Sequence, residues 1–202
     1  MQTASGKRPR GRPRKFDRET ALRAAMLVFW KEGYEGASLA DLTEAMEISK
    51  PTLYAAFGDK EGLLREAVRT YLGLHAEDYA TALNLPTVRE VAEAWLRLTG
   101  GVRKEEDVPP GCLLVRGALV GSQASQVIQQ ELASIRNEGT RQLEQRLQQA
   151  KREGDLLGIW EPGPLAQYLS ALACGLSVQS SSGVSSQELN KVVDQVMANW
   201  PS

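Results

Sequence analysis

Three closely spaced helix-start signals constrain the fold of this chain more than any other feature of its sequence. Ser38, Ser49 and Asp59 each precede a segment whose apolar residues recur at helical spacing, and Ser and Asp are among the preferred N-cap residues of helices. The first two helices predicted in this way are short, and only a break at residues 47–49 separates them. Two short helices joined by such a turn and braced by longer ones are typical of a helix-turn-helix, whose second helix enters the DNA major groove.

Helical periodicity continues through almost all of the chain from Asp17 to the C-terminus, and no convincing alternating strand pattern interrupts it. The sequence therefore predicts an all-α fold. Most of the prolines fall at plausible helix starts or breaks, which supports the same division of the chain. About nine helices are predicted, at residues 18–33, 39–46, 50–56, 60–84, 87–100, 110–120, 124–153, 163–180 and 186–199.

The composition is ordinary for a globular protein, with 42% hydrophobic and 24% charged residues. No apolar run approaches the roughly 20 residues of a membrane span, and no apolar stretch follows the basic N-terminus as it would in a signal peptide. Cys112 and Cys174 match no metal-binding or redox spacing and suit reduced intracellular thiols. We therefore expect a soluble cytoplasmic protein without a metal or other cofactor. The absence of a phosphate loop, a nucleophile elbow or a paired-carboxylate motif argues against an enzyme.

The first 15 residues form a basic arm on an otherwise acidic chain whose overall net charge is −1. Six basic residues and no acidic ones occur in this arm, and like-charge repulsion favours an extended segment that binds an anion. Its run Arg10-Gly11-Arg12-Pro13 resembles the core of an AT-hook, in which arginines enter a narrow A·T-rich minor groove. We expect Arg10, Arg12 and Arg14 to contact DNA; the alternative is a disordered solubilising tail.

A longer motif runs through the predicted helix-turn-helix. Its residues are Ser38-Leu39-Ala40-Asp41-Leu42 followed by Ile48-Ser49-Lys50-Pro51-Thr52-Leu53-Tyr54-Ala55-Ala56-Phe57-Gly58-Asp59-Lys60-Glu61. Over roughly residues 16–66 the chain resembles the DNA-binding domain of the TetR/AcrR repressor family. The resemblance is specific because apolar, capping, aromatic and lysine positions all agree, and the helix-turn-helix itself would span about residues 39–58.

The resemblance also implies which residues contact DNA. Tyr54 matches a tyrosine of the recognition helix that bonds a phosphate, and Thr52 offers a hydroxyl and a methyl to a base edge or a thymine. Lys60 and Ser38 match positions that contact phosphate at the starts of their helices. The complete expected set is Ser38, Lys50, Pro51, Thr52, Tyr54 and Lys60, in addition to the arm.

Glu47 departs from the family pattern, which usually has glycine in this turn. If the residue is left-handed, a side chain there costs on the order of 1 kcal/mol. It also places a negative charge near the expected DNA face. The recognition helix lacks Arg, Asn and Gln, so specificity must come from Thr52, Lys50, apolar contacts, DNA shape and the arm.

Residues 67–202 are similar to the family only in length and helical layout, and the resemblance implies a ligand-binding and dimerisation domain there. The predicted helix 163–180 has a leucine stripe and a second stripe of small residues, and no charged residue occurs between Glu161 and Glu188. A helix with two apolar faces must bury both, which one monomer core does not explain. We therefore predict a homodimer through Ala166, Ser170, Ala173 and Ser177 together with Val192 and Val196; a plain core helix is the alternative.

The resemblance implies a two-state switch in which a small-molecule effector in the C-terminal domain releases a dimeric repressor from a palindromic double-stranded operator. Candidates to line the effector cavity are Trp95, Cys112, Leu113, Arg116 and Tyr168, although each suits simple packing as well. The competing function is a ligand-independent architectural DNA-binding protein that uses the basic arm, and an enzyme with an accessory DNA-binding domain ranks third.

Overall fold

The computed structural model of the chain describes residues 17–102, 108–116 and 125–200. The basic arm with Arg10, Arg12 and Arg14 lies outside the described residues, as do residues 117–120 of the sixth predicted helix. The described part is all-α, as predicted. Its nine helices are α1 (Arg18–Gly36), α2 (Leu39–Ala45), α3 (Lys50–Phe57), α4 (Lys60–Leu83), α5 (Val88–Thr99), α6 (Leu113–Arg116), α7 (Gln126–Glu153), α8 (Pro162–Ser181) and α9 (Ser186–Ala198).

The predicted caps are confirmed at the helix starts that define the N-terminal region. Ser38 accepts a hydrogen bond from the Asp41 backbone N–H, Ser49 caps α3, and Asp59 accepts one from the Gly62 N–H at 2.7 Å. α1 is interrupted at Gly33, whose φ of 74° lies in the left-handed region that favours glycine. As predicted, the regular path of the first helix ends at Gly33. One irregular turn follows before α2 begins.

Two hydrophobic cores organise the described helices. The first core unites α1 to α4 with α6 and the start of α7, and it contains fully buried Phe29, Leu42 and Leu53. The second core lies among α5, the rest of α7, α8 and α9. The domain boundary predicted at residue 66 falls inside α4, so a single helix continues from one region into the other.

The segment before α6 joins the two regions. Trp30 of α1 donates its indole N–H to the carbonyl oxygen of Gly111 at 3.2 Å. Gly111 has a φ of 84°, and a Cβ there would lie 2.2 Å from the Ser181 hydroxyl oxygen, so only glycine fits. Because the left-handed φ of Gly111 is incompatible with a right-handed α-helix, α6 begins at Leu113 and not at residue 110 as predicted.

The small-residue stripe of α8 is buried inside one chain. Ala166, Ala173 and Ser177 have at most 3% exposure, and Ser177 accepts a hydrogen bond from the Cys112 N–H at 2.8 Å. Ser170 is half-buried and bonds to Thr140 at 2.9 Å. Contacts within the chain already cover these side chains, which leaves them little surface for the predicted dimer seam.

Candidate nucleic-acid interface and C-terminal cavity

The α2–turn–α3 unit rests on a buried apolar base. Leu42 and Leu53 are completely buried, and Phe57 is 6% exposed. Glu47 in the turn has a φ of 52°, the one left-handed residue other than glycine among those described. The backbone of the turn therefore has a conformation that is less strained for glycine than for a residue with a side chain. Glu47 has the energetic cost expected for a left-handed residue other than glycine.

The face of α3 opposite this base is open. Lys50, Pro51 and Tyr54 are exposed, with Tyr54 at 48%. Thr52 is half-buried, and its Oγ1 lies 2.8 Å from the Ser49 Oγ, so the helix cap also orients this hydroxyl. The arrangement presents a cation, a phenol and a hydroxyl from one short helix, which is what a recognition helix needs to contact phosphates and base edges.

Ser38 and Lys60 lie at the starts of the flanking helices α2 and α4. Ser38 is exposed, and its hydroxyl forms a capping box with Asp41, whose pKa is lowered by the hydrogen bonds that it accepts from the Ser38 hydroxyl and N–H. Lys60 is half-buried, and its ammonium lies 4.5 Å from the centre of the Tyr34 ring. Burial lowers the pKa of Lys60, with an opposing effect from Glu35. Both side chains are therefore held in place by neighbours within the chain.

A cavity of about 580 Å³ lies between α4, α5, α6, α7 and α8. Trp95 and Cys112, two of the predicted lining residues, are part of its wall. The other three do not line this cavity: Leu113 is buried in the first core, Arg116 borders a separate cleft beside Gly33, and Tyr168 is 49% exposed on α8. Their side chains are directed by packing between helices, which sequence spacing does not reveal.

The cavity wall is mainly apolar and carries a few polar groups from α7 and α8. Arg136 donates from Nη1 to the carbonyl oxygen of Leu114 at 2.7 Å, which fixes the guanidinium at the wall. Cys174 is half-buried, and burial raises the pKa of its thiol despite the opposing effect of Arg136. The Tyr71 hydroxyl donates to the sulfur of buried Cys112 at 3.3 Å. An apolar cavity with a few convergent polar groups is typical of a small-molecule site.

Comparison with known proteins shows the relationship directly. A sequence profile of the family described as bacterial regulatory proteins, tetR family, matches residues 21–67. The HTH-type transcriptional repressor ComR of Escherichia coli K12 is 32% identical over 197 residues, covering 96% of this chain and 94% of the relative. The chain belongs to the TetR family.

Solved structures of TetR family proteins agree with this assignment. A cysteine mutant of the regulator CifR, solved with 26-bp double-stranded operator DNA, is 44% identical, with a TM-score of 0.86 over 94% of this chain and all of that chain. A TetR regulator from Chloroflexus aurantiacus is 17% identical, with a TM-score of 0.77 over 90% of this chain and 92% of that one, and its likeness concerns the fold alone. As a member of this family, the chain is a DNA-binding transcriptional regulator and not an enzyme.

Two arginines that organise this TetR family protein were not among the predicted site residues. Arg18 donates to Glu66 at 2.8 Å and places its guanidinium 4.6 Å from the Phe57 ring centre, so it braces α3 against α1 and α4. Arg65 binds Glu61 one turn away and Glu131 on α7. The Glu61–Arg65 spacing is visible in the sequence, but nothing there indicates the partners of Arg18 or the contact of Arg65 with Glu131.

No group of three or more His, Cys, Asp or Glu side chains that could hold a metal ion occurs among the residues that the structure describes. No described helix is both long and apolar enough to span a membrane.

Proposed function

We propose that this chain is a transcriptional repressor that binds a palindromic operator as a homodimer and is released by a small molecule bound in the cavity. The observation that carries the proposal is the position of Lys50, Thr52 and Tyr54 on the open face of a helix whose other face is buried through Leu53 and Phe57. A rigid base holds these groups in place, so they can enter a major groove with little loss of side-chain and backbone freedom.

The relatives support the operator part of the proposal. CifR, 44% identical over its whole length, was solved with double-stranded operator DNA, and ComR is named a repressor. Those properties belong to the relatives. For this chain we infer the same type of target, with Ser38, Lys50, Pro51, Thr52, Tyr54 and Lys60 as contacts and the basic arm as an additional one.

The exposed apolar residues of α8 and α9 support the homodimer. Val192 of α9 is 44% exposed and Val178 of α8 is 37% exposed, and Val196 is half-buried one turn after Val192. We propose that this outer face of α8 and α9 replaces the buried small-residue stripe as the dimer contact. A two-fold dimer would place two recognition helices about 34 Å apart, the distance of one turn of DNA.

The path of α4 supports the switch. The helix begins at Lys60, directly after the recognition helix, and its later residues Leu72, Tyr79 and Leu83 line the cavity. A ligand that displaces this wall would also move the start of the helix. Release requires that the ligand bind the DNA-incompetent state more tightly, since equal affinity for both states would shift no equilibrium.

The test is footprinting of the full chain on the DNA flanking its own gene at moderate salt. A short protected palindrome is expected, with two half-sites about one helical turn apart. Diffuse coverage that depends only on salt would support the alternative of an architectural DNA-binding protein and would contradict the repressor proposal.

A further inference from the structure

Arg136 places a positive charge in the wall of a cavity that is mainly apolar, and Glu138 of the same wall pairs with Arg141. The side chain is half-buried, and one guanidinium nitrogen is used by the Leu114 carbonyl oxygen at 2.7 Å. An arginine guanidinium has five N–H donors, so this single bond leaves most of them available. The guanidinium also lies close enough to Cys174 to affect its titration. Arg136 is thus directed toward the region between α6, α7 and α8.

Carboxylates near Arg136 along α7 already have other cationic partners. Glu138 pairs with Arg141, and Glu131 pairs with Arg65. Within the described ranges of the chain, no Asp or Glu forms an ion pair with Arg136. Burial keeps the Cys174 thiol protonated at neutral pH by raising its pKa, so it supplies no negative charge. A partly buried charge without a counter-charge is costly, which favours binding of an anion.

Trp95 of the opposite element, α5, contributes aromatic surface to the same cavity. Its side chain is 4% exposed and belongs to the cavity wall. The Trp95 ring centre lies 6.1 Å from that of Tyr79 on α4, which also lines the cavity. The wall therefore offers two aromatic rings to a ligand with an aromatic body.

The remaining wall requires an apolar ligand body. Leu72, Leu83, Val115 and Ile135 contribute aliphatic surface, and the volume of about 580 Å³ lies within the usual range for small organic ligands. A free inorganic anion would leave this surface without contacts. We propose that the cavity binds an organic anion, an apolar or aromatic body carrying one acidic group, with Arg136 as the residue that receives the acidic group.

This inference rests on the proposed function only in treating the cavity as the effector site. Its test uses two fluorescent probes with the same aromatic body: 8-anilinonaphthalene-1-sulfonate, which is an anion, and N-phenyl-1-naphthylamine, which is neutral. Each probe is titrated into the full chain and into the Arg136→Gln, Arg136→Lys and Arg152→Gln variants. Gln keeps a donor for Leu114, Lys keeps the charge, and Arg152 is an exposed residue of the same helix that does not line the cavity.

The expected result is a loss of affinity for the anionic probe of about tenfold or more in Arg136→Gln, with little change for the neutral probe, because hydrogen bonds to charged groups are the strong ones. Arg136→Lys should retain most of the anion affinity, and Arg152→Gln all of it. Equal loss of both probes in Arg136→Gln, or an equal loss of the anion in Arg152→Gln, would overturn the inference. So would a wild-type protein that binds the anionic probe no better than Arg136→Gln does.

Operator affinity measured on the same samples without probe separates the two proposals. Arg136→Gln is expected to bind operator as the wild type does, which also shows that it is folded. If the wild type binds no operator, the repressor proposal fails while the probe comparison still decides the ligand class. If operator binding is intact and the probes show no dependence on Arg136, only the ligand inference fails.

Discussion

Arg65 of α4 and Glu131 of α7 form a two-bond ion pair that connects the helix after the recognition helix to the long helix of the C-terminal region. Nε of Arg65 lies 2.9 Å from Oε2 of Glu131, and Nη2 of Arg65 lies 2.9 Å from Oε1 of Glu131. Each side chain is 40% exposed. Parallel N–H bonds of arginine to a carboxylate fix orientation as well as distance. The pair therefore connects the first part of α4, just after the recognition helix, to the first part of α7.

We expect Glu131→Gln to lower the free energy of unfolding by only about 0.2–1 kcal/mol at neutral pH, because an exposed pair is screened by solvent. Hydrogen bonds from Arg65 lower the pKa of Glu131 below its ordinary 4.5. The stabilisation is therefore present above about pH 4.5 and is lost as the pH falls through the lower pKa of the folded state. Urea denaturation at neutral and acidic pH should show that the free energies of unfolding of the wild type and the variant become equal in acid. A difference between them that stays constant with pH would contradict the prediction.

Glu47 offers a test of backbone strain. At a φ of 52°, Glu47→Gly should be more stable than Glu47→Ala by about 1 kcal/mol, because both variants remove the carboxylate and only glycine relieves the left-handed conformation. The difference between the two free energies of unfolding, measured by chemical denaturation, gives the net backbone effect at this position. If alanine is as stable as glycine, the turn is not strained.

Substitutions on α3 should separate affinity from specificity. Tyr54→Phe and Lys50→Gln are expected to weaken binding to operator and to random DNA alike, since their proposed contacts are to the DNA backbone. Thr52→Val should instead change the preference between operator sequences. Fluorescence anisotropy with both duplexes provides the comparison. Unchanged affinity in folded Tyr54 and Lys50 variants would refute the placement of the recognition helix on DNA.

Deletion of residues 1–15 tests the basic arm. We expect lower operator affinity and a shallower dependence on salt, by about 0.9 in the log–log slope for each phosphate that the arm neutralises in the intact chain. If Arg10 and Arg12 enter the minor groove, changing flanking A·T pairs to G·C should weaken the intact chain and leave the deletion variant nearly indifferent. Equal sensitivity of the two proteins would favour the solubilising tail.

A pair of substitutions distinguishes the outer face of α8 and α9 from the buried stripe. Val192→Glu should reduce dimerisation in sedimentation while leaving the folded chain intact, since the valine is 44% exposed. Ala166→Glu should destabilise the fold itself by about 3 kcal/mol or more, because Ala166 is fully buried in the second core and a carboxylate would replace its methyl group there. A folded, fully dimeric Val192→Glu protein would exclude this face as the dimer contact.

Local signals in the sequence were sufficient to place the helices and the helix-turn-helix. Ser38, Ser49 and Asp59 cap the helices that they were expected to cap, and Glu47 is left-handed where glycine is usual. Capping, apolar periodicity and turn conformation all depend on residues within a few positions of one another. Such short-range effects can be inferred from the order of the residues.

The assignment of apolar faces to partners required the folded chain. The sequence predicts that the stripe through Ala166 and Ala173 contacts a second subunit. In the structure, α8 packs between α5 and α7, and these contacts bury the stripe within one chain. Arg65 and Glu131 are 66 residues apart, and Trp95 and Arg136 meet at one cavity from different helices. Helical spacing shows that an apolar face must be buried, but it does not show which helix or subunit buries it. The same apolar surface gains similar free energy from any neighbour of complementary shape.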